Sequence, residues 1–337
     1  MKTMINYIQE APMKIEEKLN NELWGAELTE FFKSVKDELI IIASGSSYNA
    51  ASCGKLSLEK LLDIRVEIIT PYTFTNYQRI RSTACYLLIS QSGNSVNTLC
   101  AAELLKGLSI PFHMITDNKK IRSDPFMTVS HLDIYNEEIP FVTLGFDLTV
   151  LMLLKCAFQA AACSLKDFDK ISEKQRDYYK KGLLFYEANK QWLKDISRIH
   201  ICGSGANEYC AKEGALKFCE TLQIAATAYE TEEFMHGGFL ELNKSHVVFM
   251  ISDSVSKDRM KQFQTYLPML CDHVYLLDDT ENIEEAIQPL YYIVFFQTIT
   301  ALMNRAVGNE IPSMASKYIK FEKQMKSKTI GYDEGIL

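Results

Sequence analysis

Short apolar runs alternate with helical patterns along most of the chain. The runs are apolar throughout rather than at every second position, which is typical of parallel strands covered on both faces. In the first half the predicted strands are residues 38–43, 66–69, 85–89 and 112–115. In the second half they are residues 199–202, 247–251 and 274–277. The pattern therefore predicts an α/β fold with parallel sheets.

Helical patterns separate the predicted strands. They cover about residues 50–62, 95–106, 207–222 and 283–303, and long helices between about 146 and 193 join the two halves. The halves also resemble each other, because a shift of 160 positions places Ser44-Gly45 on Ser204-Gly205 and Gly54 on Gly214. These matches fall at the same strand–turn–helix junction, which indicates an internal duplication of one α/β domain.

We therefore predict two similar domains. The first domain covers residues 1–165, connecting helices cover 166–195, the second domain covers 196–310, and a C-terminal tail that closes the site covers 311–337. Hydrophobic residues make up 47% of the chain, so each half can bury a core. No stretch rich in Pro or Gly separates the halves, and we expect them to pack tightly.

The net charge restricts the partners. The chain carries 36 Lys and Arg residues against 43 Asp and Glu residues, a formal net charge of −7. An acidic chain is poorly suited to bind nucleic acid or an anionic membrane. We therefore expect an anionic small molecule to be captured by local donors rather than by the field of the whole protein.

The cysteines and histidines give no sign of a metal site. None of the nine cysteines forms a C-x-x-C pair, and the six histidines show no H-E-x-x-H spacing. We expect free thiols in a reducing cytosol, no metal and no cofactor. The N-terminus lacks the apolar core of a signal peptide. The apolar windows 148–154 and 290–303 are too short to span a membrane and predict buried helices of a cytoplasmic protein.

Ser90, Ser92 and Ser95 lie within the six-residue segment Ser-Gln-Ser-Gly-Asn-Ser, called here the serine loop (residues 90–95). The loop follows a predicted strand and precedes a predicted helix, the place where open α/β sheets bind ligands. The helix N-terminus supplies unpaired N–H groups and a partial positive charge, and Gly93 lets the backbone approach closely. These groups together suit a phosphate.

The alternative for the serine loop is an ordinary serine N-cap. One serine would favour that alternative, but three serines in six residues favour a phosphate site. A nucleotide is less favoured, because the chain has no G-x-x-x-x-G-K-[ST] motif and residues 203–208 lack the third glycine of a dinucleotide fingerprint. Three more serines, at positions 44, 46 and 47, follow the first predicted strand. The predicted substrate-binding residues are Ser46, Ser47, Ser90, Gln91, Ser92 and Ser95.

A second polar group lies on the helix predicted after Gly205. Glu213, Lys217 and Glu220 are spaced i, i+4, i+7 and share one helix face. On spacing alone, a solvent-exposed row of salt bridges is the favoured interpretation. Against it, the helix begins at a glycine turn where a pocket is expected, and His236 follows with two glycines behind it. A carboxylate and a histidine together can move protons between adjacent sugar carbons and open a ring.

These motifs resemble the sugar isomerase (SIS) domain family in its two-domain form. Residues 44–49 resemble the family's first sugar loop, and the serine loop matches its most characteristic motif. Residues 213–217 with Glu220, and His236-Gly237 after them, match the isomerase half of the glutamine–fructose-6-phosphate amidotransferases. The fructosamine-6-phosphate deglycases are also similar. The resemblance spans nearly the whole chain and implies two flavodoxin-like SIS domains, each a parallel sheet with helices on both faces.

The resemblance also implies catalytic roles. Glu220 would shuttle a proton between C1 and C2, and His236 would assist ring opening, in its own or a neighbouring subunit's site. Glu213 and Lys217 would support them. Lys317 lies in a segment that resembles the one carrying the amidotransferases' Schiff-base lysine, although a row of solvated lysines in a basic tail explains it equally well.

Departures from the amidotransferase pattern affect which reaction we expect. Asn94 and Asn97 replace acidic residues, and Gly238 replaces the usual proline after the His-Gly pair. No glutaminase segment precedes the first predicted domain, so we do not expect glutamine to be the ammonia source.

The prediction is a metal-free phosphosugar isomerase or deglycase acting on an amino-sugar phosphate or a phosphorylated sugar–amine adduct. The alternatives are a non-catalytic sugar-phosphate-binding regulator and a simple aldose–ketose phosphate isomerase. Because family sites are built across subunits, we expect a homodimer or a larger homo-oligomer.

Overall fold

The computed structural model describes residues 2–135, 137–279, 281 and 283–308, and within them the strands form two separate parallel sheets. The first sheet has the order β2-β1-β3-β4-β5, and its strands are β1 Glu38–Ile42, β2 Arg65–Ile69, β3 Cys85–Ile89, β4 Phe112–Thr116 and β5 Met127–His131. The second sheet has the order β7-β6-β8-β9, and its strands are β6 Arg198–Gly203, β7 Ala225–Glu230, β8 His246–Ile251 and β9 His273–Leu277.

Ten α-helices connect and cover the sheets in the described part of the chain. They are α1 Met4–Asn20, α2 Ala26–Ser34, α3 Ser46–Leu62, α4 Pro71–Tyr77, α5 Val96–Gly107, α6 Leu144–Ala160, α7 Ile171–Leu193, α8 Ala206–Leu222, α9 Lys257–Tyr266 and α10 Pro289–Ala306. Short 3-10 turns cover Phe168–Lys170, Glu233–His236, Gly238–Glu241, Leu267–Met269 and Glu285–Ile287.

The predicted fold class is confirmed: each half of the chain is an α/β unit with a parallel sheet flanked by helices. The order of the first sheet is that of flavodoxin-like domains. The predicted boundary at residue 165 lies between α6 and α7, and the one at residue 195 lies between α7 and β6. The predicted tail, residues 311–337, lies outside the described residues.

Alternate residues of the central strands enter different cores, as the two-residue period of a strand requires. In β1, Ile41 belongs to a large core that also contains residues of β6, α6 and α10, whereas Ile40 and Ile42 belong to a smaller core on the other face of the first sheet. In β8, Val248 and Met250 enter a third core on the outer face of the second sheet. The large core therefore joins the two halves, and the expected tight packing is confirmed.

The apolar helix α10 lies inside this shared core. The stretch 285–306 is long and apolar enough to cross a membrane by length and composition, but 94% of its most apolar window is buried inside the protein. It packs mainly against α7 and α8, so it is a core helix, as predicted. The nine cysteines, all within the described residues, form no disulfide.

Candidate active site

A cleft of about 470 Å³ opens at the carboxyl ends of β1 and β3. These strands are neighbours, with Ile42 opposite Leu88, and the sheet order reverses between them. Open α/β sheets bind ligands at such a switch point. The cleft is lined by Ser44, Gly45, Ser46, Ser47, Ile89, Ser90, Gln91, Ser92, Ser95, Thr98, Asp117, Glu137, Ile139, Val142, Leu216 and Glu220. All six predicted substrate-binding residues are therefore brought together.

The first loop of the cleft turns directly from β1 into α3. Gly45 has a φ of +58°, a conformation that glycine adopts without strain. Helix α3 consequently begins at Ser46, four residues earlier than the hydrophobic pattern predicted. Ser47, in the first turn of α3, is half-buried in the cleft wall. The backbone N–H groups of this first turn point out of the helix N-terminus, the end at which a helix stabilises an anion.

The serine loop forms the opposite wall of the cleft. Gly93 has a φ of +65°, and a Cβ atom there would lie 2.5 Å from Ile121 Cδ1, so only glycine fits this turn. Ser90 is buried at the end of β3, and Ser92 is exposed at the cleft mouth. Ser95 occupies the N-cap position of α5, but its hydroxyl makes no capping hydrogen bond. The simple N-cap alternative therefore does not describe this loop.

Helix α8 carries the predicted acid–base group on a buried face. The side chains of Glu213 and Lys217 are 0% exposed and that of Glu220 is 25% exposed. The interpretation of these residues as a solvent-exposed row of salt bridges is therefore wrong. Lys217 Nζ lies 2.9 Å from Glu213 Oε1 and also donates to Glu220 Oε1. One buried ammonium thus joins two carboxylates, and only Glu220 reaches the cleft.

Burial raises the pKa of Glu220 above its ordinary value, and the neighbouring Lys217 ammonium partly opposes that rise. Burial by itself lowers the pKa of Lys217, but the carboxylates of Glu213 and Glu220 outweigh it and raise that pKa. Lys217 therefore stays protonated, and its charge favours the ionised form of the partly buried Glu220 carboxylate. A carboxylate tuned in this way suits a general base.

Two side chains of the first domain also donate hydrogen bonds to the Glu213 carboxylate. Ser46 Oγ donates to Glu213 Oε1 at 2.8 Å, and Asn49 Nδ2 donates to Glu213 Oε2 at 2.8 Å. The Ser46 hydroxyl therefore donates its proton to a hydrogen bond between the two domains, although Ser46 also lines the cleft. A chain of contacts runs from α3 through Glu213 and Lys217 to Glu220.

The structure does not bring His236 to this cleft. His236 ends the exposed 3-10 turn after β7, and it is not among the lining residues found in the described part of the chain. Its predicted role in a neighbouring subunit stays a prediction. Lys317 lies outside the described residues.

Five polar residues of the site were not predicted as site residues from the sequence: Ser44, Asn49, Thr98, Asp117 and Glu137. The spacing of Asn49 from Ser46, three residues along α3, was the available signal, because it places both side chains on one helix face. Glu137 had no such signal, since it precedes α6 in an irregular segment. Among the described residues, no cluster of three or more His, Cys, Asp or Glu residues is arranged to hold a metal ion.

The fold and the cleft define a doubly wound α/β protein with a polar cleft at the switch point of its first sheet. A family model described as the SIS domain matches residues 32–154 and 193–266. The chain therefore belongs to the SIS domain family, and the resemblance noted in the sequence is confirmed.

Curated relatives are similar over much of the chain. The glutamine–fructose-6-phosphate aminotransferase (isomerizing) of Cyanidium caldarium is 29% identical over 246 residues, which are 66% of this chain and 39% of that protein. The chain spans about half the length of the curated relatives it matches.

Solved structures share the fold over nearly the whole chain. A proposed phosphosugar isomerase from Clostridium difficile 630 has a TM-score of 0.82 at 23% identity, covering 98% of this chain and 100% of that one. The glucosamine-6-phosphate deaminase of Thermotoga maritima has a TM-score of 0.80 at 21% identity, covering 91% of this chain and 95% of that one. These likenesses show a common fold.

Proposed function

We propose that this chain is an enzyme acting on an amino-sugar phosphate or on the phosphorylated adduct of a sugar and an amine. The observation that carries the proposal is the position of Glu220. Its carboxylate lies in the same cleft as both serine-containing loops, and the buried Lys217 holds it there. A base and a phosphate site in one cleft are what C1/C2 proton transfer on a phosphosugar needs.

The phosphate end of the substrate suits the serine loop and the start of α3. Hydroxyls and backbone N–H groups at two helix N-termini are good donors to phosphate oxygens. None of the lining residues in the described part of the chain is Lys or Arg. Phosphate binding here therefore depends on neutral donors, which suits a chain with a net charge of −7.

At the reacting end, Glu220 takes a proton from one carbon and returns it to the neighbouring carbon. In an open-chain 2-amino aldose the proton leaves C2 and arrives at C1, which turns the C2 amine into an imine. Water adds to that imine, and ammonia leaves with formation of a ketose phosphate. In a 1-amino ketose adduct the proton leaves C1 and arrives at C2, and hydrolysis of the C1 imine releases the amine with an aldose phosphate.

The experiment is a substrate screen that reads out released amine. The enzyme is incubated with glucosamine 6-phosphate and with phosphorylated ketosamines of several amines, and ammonia or free amine is followed with time. We expect release from at least one of these compounds and none from its unphosphorylated counterpart.

Two other outcomes would replace the proposal with an alternative. Interconversion of glucose 6-phosphate and fructose 6-phosphate without any amine release would indicate a simple aldose–ketose isomerase. Binding of phosphosugars, seen as a thermal shift, without turnover of any of them would indicate a non-catalytic binding protein.

A further inference from the structure

Glu137 is a partly buried carboxylate that the proton-transfer chemistry does not use. It precedes α6, and three backbone N–H groups at the start of that helix converge on it. Thr143 N and Leu144 N donate to Glu137 Oε1 at 2.7 and 3.0 Å, and Gly145 N donates to Glu137 Oε2 at 3.2 Å. The first N–H groups of a helix have no partner within the helix, and a carboxylate satisfies them and complements the helix dipole. Glu137 therefore anchors the N-terminus of α6.

A fourth donor reaches Glu137 from the serine loop. Gln91 Nε2 donates to Glu137 Oε2 at 3.0 Å. The main chain of Gln91 is fixed as well, because its carbonyl oxygen accepts from Asp117 N at 2.8 Å and from Thr116 Oγ1 at 3.3 Å. The Gln91 side chain is thus turned toward α6, although the residue lies between two serines of the phosphate site.

Gly145 leaves the space that the side-chain amide of Gln91 occupies. A Cβ atom at Gly145 would lie 2.1 Å from Gln91 Oε1, so no larger residue fits beneath the amide. Gln91 Oε1 is itself buried and has no hydrogen-bond partner among the described residues. Burying an unsatisfied amide oxygen costs free energy, and the hydrogen bond to Glu137 is the polar contact that offsets this cost.

We propose that Glu137 is a positioning residue that sets the geometry of the serine loop through Gln91. The proposal rests on the proposed function in one respect, that the serine loop binds the substrate phosphate. A glutamine at position 137 has nearly the same shape, but its amino group would face Gly145 N, a fixed backbone donor, and it would keep a hydrogen bond to Gln91 only if the Gln91 amide rotated to present Oε1. An acceptor with two oxygens is therefore required, and burial of this carboxylate is tolerated because four donors converge on it.

The test compares Glu137→Gln with Glu138→Gln, a neighbouring exposed carboxylate. Dissociation constants for glucosamine 6-phosphate and glucose 6-phosphate are measured by calorimetry, and kcat is measured on whichever substrate turns over. We expect Glu137→Gln to weaken binding of both phosphosugars about 10-fold or more, in line with losing hydrogen bonds to a buried charge, while kcat changes little. Glu138→Gln should bind like the wild type.

A double-mutant cycle separates positioning from general destabilisation. Gln91→Met removes the same hydrogen bond without changing the anchor of α6, so it tests the proposal even if Glu137→Gln does not fold. We expect Gln91→Met to weaken phosphosugar binding and the double variant to be no weaker than Glu137→Gln. Wild-type affinity in either single variant, or effects that add, would overturn the proposal. A wild-type chain that binds no phosphosugar would instead overturn the proposed function and this inference together.

Discussion

Ser46 of the first domain donates a 2.8 Å hydrogen bond to Glu213 of the second domain, across 167 residues of sequence. Glu213 is also paired with Lys217, which in turn donates to Glu220. The wall of the cleft is thereby connected to the proposed base by three consecutive polar contacts. The two domains form one site because this chain of contacts crosses between them.

Ser46→Ala tests the stability of that connection. The variant loses a hydrogen bond to a buried carboxylate, which costs about 1–3 kcal/mol of unfolding free energy. Ser47→Ala is the matched control, since Ser47 lies beside Ser46 in the same turn and lines the same cleft. Chemical denaturation should show a loss for Ser46→Ala and little change for Ser47→Ala. Equal unfolding free energies for the two variants would show that the contact does not stabilise the fold.

Lys217→Met should change both stability and the pH profile. Removing the ammonium leaves Glu213 buried without its cationic partner, which costs about 3–5 kcal/mol of unfolding free energy. Because the proposed base acts when deprotonated, activity rises with pH through the pKa of Glu220, which burial already raises. Lys217 lowers that pKa, so its loss moves the acidic limb of kcat/KM to higher pH.

The control for this profile is Lys212→Met on the same helix, because Lys212 is more exposed and pairs with Glu208 at 2.6 Å. Its acidic limb should match that of the wild type. An acidic limb that stays in place or moves to lower pH in Lys217→Met would contradict the assigned role of Lys217.

His236 can be tested by mixing subunits. If it completes the site of a neighbouring subunit in a homodimer, Glu220→Gln and His236→Ala are each inactive alone. A mixture that exchanges subunits forms heterodimers in which one of the two sites has both residues intact, giving roughly a quarter of wild-type activity by symmetry. No recovery on mixing, or a monomer by light scattering, would contradict the placement of His236 in a partner's site.

The sequence predicted seven of the nine strands in the described part of the chain and missed two edge strands. The prediction for β3 matches Cys85–Ile89 residue for residue, because a strand buried on both faces is apolar at every position. The edge strands β5 and β7 were missed. In β7, Ala225–Glu230, every residue is partly or fully exposed, so it lacks a continuous apolar run. The helices α1, α2, α4 and α9 were also not placed as elements.

The site was predicted in its parts but not in its connections. The serines and Glu220 could be found from local spacing and from the resemblance to a family. The contact between Ser46 and Glu213 could not, because pairing across 167 residues leaves no local pattern. Glu137 was missed for a related reason: its partners are backbone N–H groups and one distant glutamine, and neither has a sequence signature.

Glu220→Gln is the most direct test of the central claim, that this carboxylate transfers the proton between C1 and C2. The substitution keeps the size of the side chain but removes the base, so the variant should still bind the phosphosugar. Release of amine is followed for the wild type and for Glu220→Gln on the same substrate at equal concentrations. We expect at least a ~100-fold loss of kcat in the variant with little change in dissociation constant. Amine release at the wild-type rate by Glu220→Gln would contradict that claim.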